Sequence, residues 1–294
     1  MMKNYLQKAY CMHDTVRIYA AITTDIVSHY QQIFNMWPTS CAALGRTLTM
    51  GAIMSCTYKS GEYLNIKIDG DGPLGKIVVE ATDGNVRGFV ANPGVYLSYN
   101  NGKLNVKDAV GSGMLEVVKD LHMRAPFSSS VELVSGEIAE DFSYYFAKSE
   151  QIPSAVGLGV LFDNDSKVKA AGGFLIQVMP GCKDEDITKL ENKLASIKSC
   201  SQMIDEGYSA IDIITEITDG DYHLLEEREL NYFCTCSKEK FKKGIKSLGV
   251  TEVKDILEKD KKCEVTCNFC NTKYSFDEKE LEEMIFELES KKAD

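Results

Sequence analysis

Apolar and polar positions alternate along three successive stretches, 63–68, 76–82 and 86–91, each rich in β-branched residues. A period of two buries one face of a strand. The connecting segments, DGDGPLG and DGN, are turn chemistry, so the three stretches predict an antiparallel meander. Further strands are predicted at 114–119, 131–133, 155–162 and 168–179. Upstream, 14–60 reads as mixed, with Ala42, Leu44, Leu48 and Ile53 marking a helical pattern over 39–56. Another helix is expected over 136–149. Ile138, Phe142, Tyr145 and Phe146 form its apolar face, while Glu137, Glu140 and Asp141 fall in its first turns, as solvated charges complementing the helix dipole. The texture changes after MPGC at 179–182. From there to 231 no strand pattern is visible, and Ile187, Leu190, Leu194 and Ile197, then Ile204, Ile211, Ile214 and Ile217, recur at helical spacing. The tail carries a Lys-rich segment at 238–246, a helical TEVKDILEKD, and an acidic helix from Asp277.

Composition narrows the function classes. The chain has 294 residues, of which 44% are hydrophobic and 26% charged, enough apolar material for a packed core. Its net charge of −11 argues against a general affinity for nucleic acid, which needs a basic face. No run approaches the roughly 18 apolar residues of a membrane span. The N-terminus lacks the apolar core of a signal peptide, so a soluble, cytoplasmic protein is expected.

Cysteine placement carries the chemistry. Cys11, Cys41, Cys56, Cys182 and Cys200 are scattered, whereas Cys234, Cys236, Cys263, Cys267 and Cys270 crowd into the tail. In a reducing compartment such a crowd points to metal or redox chemistry rather than to a disulfide framework. The pattern Cys234-x-Cys236 followed by Cys267-x-x-Cys270 offers two closely spaced thiol pairs, which suits one tetrahedral zinc ion. Cys263 is then a bystander, since four ligands are already present. A tail of this size buries little core, so the metal is expected to hold its fold. Oxidation of the thiolates to disulfides would abolish the ligands. The residues alone leave a static structural zinc and a redox switch equally open.

The tail CTCSKEK…CEVTCNFCNTKYSF resembles the zinc domain of the heat shock protein 33 family of redox-regulated chaperones. The resemblance extends through VRGFVANPGV (86–95), GSGMLEVVKDL (111–121), VELVSGEIAEDFSYYFAKSEQIPSAVGLGVL (131–161) and GGFLIQVMPG (172–181), and so covers nearly the whole chain. It implies an ATP-independent holdase, inactive when reduced and holding one zinc per chain on Cys234, Cys236, Cys267 and Cys270. It further implies that oxidation forms Cys234–Cys236 and Cys267–Cys270 disulfides and expels zinc. The zinc domain and adjoining linker then unfold, the chain binds unfolding client proteins, and it dimerises. The expected organisation is α+β. An N-terminal domain of antiparallel β-sheets with packed helices spans 1–182, an amphipathic helical linker 183–231 and a small C-terminal zinc-binding domain 232–294.

Other signals carry less. Gly70-x-Gly72-x-x-Gly75 matches a dinucleotide fingerprint but contains Pro73 and leads into a strand, so a hairpin loop is expected. His13, His29, His122 and His223 are isolated, and no catalytic residues are assigned. The Lys-rich segment reads as a solvated helix face that offsets part of the charge of a zinc tetrathiolate. Two rival readings are a permanent zinc ribbon that docks a partner, and a thiol–disulfide oxidoreductase using Cys267 and Cys270. The second expects C-x-x-C at a helix start, yet KYSF after the motif reads as a strand.

Overall fold

The computed structural model describes residues 4–290. It comprises two compact units that part between Phe233 and Cys234. The first opens with β1 (Tyr5–Cys11) and β2 (Val16–Ile22), then helices α1 (Thr24–Phe34) and α2 (Pro38–Ser55). The meander β3 (Tyr63–Gly70), β4 (Lys76–Thr82) and β5 (Asn85–Val90) follows, with a short helix α3 (Val106–Val110) and the pair β6 (Gly113–Asp120) and β7 (Phe127–Glu132). Helix α4 (Ala139–Tyr145) runs into a π-helical turn, Phe146–Glu150, and then the hairpin β8 (Ser154–Phe162) and β9 (Val168–Val178). Helices α5 (Asp184–Ser196), α6 (Cys200–Asp205) and α7 (Ala210–Thr218) lead to β10 (Tyr222–Glu229) and β11 (Asn231–Tyr232).

Two sheets result. The first, in order β10-β1-β2-β9-β8, is antiparallel throughout. The second runs β11-β5-β4-β3-β6-β7, with β11 alone parallel to its neighbour. Alternation buries Leu64, Ile66 and Ile68 of β3 and Ile77, Val79 and Ala81 of β4 on one face, as the pattern predicts. Gly72 and Gly75 lie in the β3–β4 connection, where Gly75 takes φ +63, so the glycine pattern is a turn between strands.

Helix α2 packs against strands of both sheets, and every residue in it except Arg46 is buried. A helix apolar on all sides belongs inside. Small residues make room for its neighbours. A Cβ on Gly45 would lie 2.7 Å from a Val27 methyl, and one on Gly51 2.8 Å from Val79. Thr47 and Thr49 satisfy their buried hydroxyls on the carbonyls of Ala43 and Gly45, 2.9 and 2.8 Å away.

Helices α5–α7 cover the other face of the first sheet. Leu190, Met203, Ile204, Ile213, Ile214 and Ile217 pack there with Ile18, Ala20, Phe174 and Ile176. The helices expected after residue 183 are therefore present, but 222–229 is a strand on β1, not a helix. Pairing with an existing edge overrides the weak local preference of YHLLEERE.

The helix expected over 136–149 starts only at Ala139, because Gly136 and Ile138 take positive φ, +74 and +71. Asp141 holds this turn. Its fully buried carboxylate accepts from the backbone N–H groups of Val134 (2.8 Å), Ser135 (2.9 Å), Gly136 (3.3 Å) and Ile138 (2.8 Å). Glu137 is paired with Arg46 at 2.7 Å. Of the three acidic residues read as solvated charges, only Glu140 is exposed.

Two substitutions test these constraints. Gly51→Ala should lower the stability of the chain by about 1–3 kcal/mol through overpacking against Val79, read from the urea midpoint. Asp141→Ala leaves buried N–H donors without an acceptor and should cost about 3 kcal/mol in the same measurement. An unchanged midpoint in either variant would contradict the account given for it.

Candidate metal centre

The second unit contains α8 (Lys238–Ser247), α9 (Val250–Asp260), a hairpin of β12 (Cys263–Thr266) and β13 (Lys273–Phe276), and α10 (Glu278–Ser290). Its buried apolar core is small: Ile245, Val253, Phe276, Leu281, Met284 and Ile285. The Lys-rich face of α8 is not simply solvated. Lys238 pairs with Glu280 at 2.7 Å, Lys242 with Glu287 at 3.3 Å and Lys246 with Glu287 at 2.6 Å, tying α8 to α10. These lysines hold the carboxyls of Glu280 and Glu287 below the usual glutamate range.

Two chain segments bring sulfur to one point. Cys234 and Cys236 lie on the stretch before α8, whose start is fixed where the Ser237 hydroxyl accepts from the Lys240 N–H at 3.2 Å. Cys267 and Cys270 lie in the turn between β12 and β13. That turn closes when Cys267 N–H donates to Thr272 O at 2.9 Å and Asn271 N–H donates to Cys267 O at 2.8 Å, with Asn271 at φ +56. Asparagine tolerates this left-handed conformation better than most residues.

The four sulfurs all lie within 4.8 Å of one another. Cys234 and Cys267 Sγ are 3.7 Å apart, and Cys236 and Cys270 Sγ 3.4 Å. Metal–sulfur bonds of about 2.3 Å in a tetrahedron place the sulfurs about 3.8 Å apart. The set could therefore hold a metal ion, and its dimensions and soft donors are compatible with zinc. Cys263 lies outside the cluster, paired in β12 with Phe276 and packed on the unit's core.

Crowding shapes the acidity of these thiols. Burial, then the adjoining thiols, pushes Cys236 up to about 12, although the Tyr274 hydroxyl 3.1 Å away favours its thiolate. Burial likewise raises Cys267, against hydrogen bonds from the backbone N–H groups of Phe269 and Cys270. Burial also opposes ionisation of Cys270, but hydrogen bonds from Thr272, through its side chain and backbone, and from Cys236 and Cys234 together bring that thiol down to about 7. A cation placed among the four would replace protons that the sulfurs hold against one another. Thr272 and Tyr274 were not singled out from the sequence. Their signal is position: both follow Cys270 closely, Thr272 at the end of the turn and Tyr274 on β13.

The scattered thiols differ. Burial pushes Cys11 and Cys200 to about 12 and Cys56 to about 11, and raises Cys41 further.

The family model described as "Hsp33 protein" matches residues 4–277. The chain is 47% identical over 287 residues to the 33 kDa chaperonin of Geobacillus kaustophilus, covering 96% of this chain and 98% of that one. It is 45% identical over 282 residues to the 33 kDa chaperonin of Bacillus subtilis, covering 95% and 97%. A crystal structure of the 33 kDa chaperonin, a heat shock protein 33 homologue, from Thermotoga maritima superposes over 100% of both chains with a TM-score of 0.92 at 36% identity. The match runs from the first sheet through the cysteine hairpin, and on that ground the chain belongs to the Hsp33 protein family.

Proposed function

We propose that this chain is a redox-regulated, ATP-independent holdase. It rests inactive while reduced and zinc-bound, and oxidation activates it to protect unfolding proteins from aggregation under oxidative and heat stress. Family membership supports the chaperone role. The observation that carries the regulation is the convergence of four thiols in a unit with so small a core. One zinc ion on Cys234, Cys236, Cys267 and Cys270 supplies folding energy on the order of 10–16 kcal/mol. Such a unit loses its fold with its metal.

The thiols themselves do the sensing. In this reading Cys234 joins Cys236 and Cys267 joins Cys270. Forming each disulfide releases two electrons and two protons from a thiol pair, and one hydrogen peroxide per pair takes them up as its O–O bond breaks to give two waters. Disulfide sulfurs are poor ligands, so the ion leaves. Residue 234 follows β11 by one residue, and β11 continues from β10 and helices α5–α7. Loss of order in the second unit would release that stretch in turn and expose the apolar faces of α5–α7 to clients. Burial protects Cys11, Cys41, Cys56 and Cys200, which leaves the tail cysteines and the half-buried Cys182 as the thiols open to an oxidant. We further propose a cytoplasmic protein that dimerises on oxidation and has no catalytic activity of its own.

Light scattering from an aggregating model client tests the regulation. Peroxide-treated chain at raised temperature should suppress it, while reduced, zinc-loaded chain should not. Equal behaviour of the two forms would leave zinc a static structural element and remove the redox reading. Limited proteolysis should cut within 184–232 faster in the oxidised form. A Cys263→Ser variant should retain one zinc per chain and full activation. Loss of half or more of the metal would make Cys263 a ligand.

A further inference from the structure

β8 is an outer strand of the first sheet, with only β9 beside it. Ala171 stands opposite Val160 in that pair. It turns both backbone groups away from β8, because its carbonyl accepts from Thr23 N–H at 2.9 Å and its N–H donates to Thr24 Oγ1 at 3.1 Å. Directly opposed residues of an antiparallel pair share this orientation. The N–H and C=O of Val160 therefore point out of the sheet, and by alternation so do those of Leu158 and Val156. Among the described residues, no strand takes them up.

The two outer strands of this sheet are built differently. β10 carries Glu226, Glu227, Arg228 and Glu229, and its register with β1 is interrupted at Lys8 and Ala9. Charges and irregularities of this kind keep an edge from pairing with another chain. β8 reads SAVGLGVLF, with neither charge nor proline, and stays regular as far as Leu161. An apolar, uncharged strand of this kind pairs readily unless something covers its edge.

That edge opens into a cleft of about 660 Å³ lined by Leu158 to Asp163 along one wall. Tyr96, Tyr99 and Leu104 also line it, and Trp37, 55% exposed, lies 6.0 Å ring to ring from Tyr96. Charge in the cleft is balanced. Arg46 is matched by Glu137 at 2.7 Å, and Lys103 and Asp163 are of opposite sign, in a chain that is strongly acidic overall.

We propose that the outer edge of β8 binds an extended, uncharged apolar polypeptide segment as an added strand. Outward N–H and C=O groups repeating every second residue match an extended backbone and neither a helix nor a compact small molecule. Apolar and aromatic walls accept its side chains, and a cleft without net charge imposes no charge on them. That such segments are offered to this chain rests on the chaperone reading above. Ser199 and Ser201 also line the cleft, and a Cβ on Gly159 would meet the Ser201 hydroxyl at 2.6 Å. The start of α6 thus bounds one side, and its release would widen the site.

Hydrogen exchange of the full-length peroxide-treated chain, resolved to single amides, tests the proposal. The probe is a nine-residue capped peptide of alternating valine and serine, with a twin N-methylated at alternate residues. The unmethylated peptide should slow exchange of the Leu158 and Val160 amides by at least about tenfold, and the twin should not. Leu158→Pro removes one outward N–H while sparing the bonds to β9, and should abolish protection of Val160. If that variant fails to fold, the peptide pair still decides. No protection, equal protection by both peptides, or protection that rises with protein concentration without peptide would each overturn the proposal. The last outcome would give the edge to a second copy of the chain. Client scattering measured in parallel on the oxidised protein separates the two ideas. Suppression without amide protection removes only the β8 site, and absence of suppression removes the holdase reading instead.

Discussion

Burial of the first sheet on both of its faces is the constraint from which the larger unit follows. Along β2, Tyr19 and Ala21 join the core shared with α1, α2 and the second sheet, while Ile18, Ala20 and Ile22 join the layer under α5–α7. β9 divides in the same way, with Ala171 and Leu175 on one side and Phe174 and Ile176 on the other. Neither strand has a polar face to offer water. Helices must cover both sides, and each large apolar side chain they bury contributes about 1.5–3 kcal/mol. The inner cover is the deeply embedded α2. The outer cover is three short helices, where Lys193 of α5 pairs with Asp219 after α7, and Lys198 and Glu206 pair across the two ends of α6.

The smaller unit works under the reverse limitation. Six buried apolar side chains and a belt of half-buried Lys–Glu pairs are a thin basis for a fold. Ion pairs still open to water contribute little. Thiols from the start of the unit and from its hairpin turn are drawn together, and a metal ion on them would tie those two segments to each other. One unit is thus held by extensive apolar contact, while the other combines a small core with four thiols that could hold a metal ion.

Much of this was legible in the sequence, for local reasons. Period-two alternation marked the meander, and pairing of cysteines in the tail marked the sulfur cluster. What escaped notice was fixed by distant partners. β2 is apolar on both faces and so shows no alternation, and β10 carries four charged residues that suit an outer strand yet conceal it. Asp141 looked like a dipole charge because nothing local shows that Val134, Ser135 and Gly136 turn their N–H groups onto it. The lysines of α8 looked solvated because their partners lie some forty residues downstream, on α10.

The buried thiols of the larger unit bear on how the chain can be labelled. Burial keeps Cys11, Cys41, Cys56 and Cys200 from solvent and favours their protonated, unreactive form. Cys182 alone among the scattered thiols is half-buried. A thiol reagent applied to the folded chain therefore meets Cys182 and the tail first, and labelling at Cys41 or Cys200 becomes a local gauge of whether the apolar layers around α2 and α6 have opened.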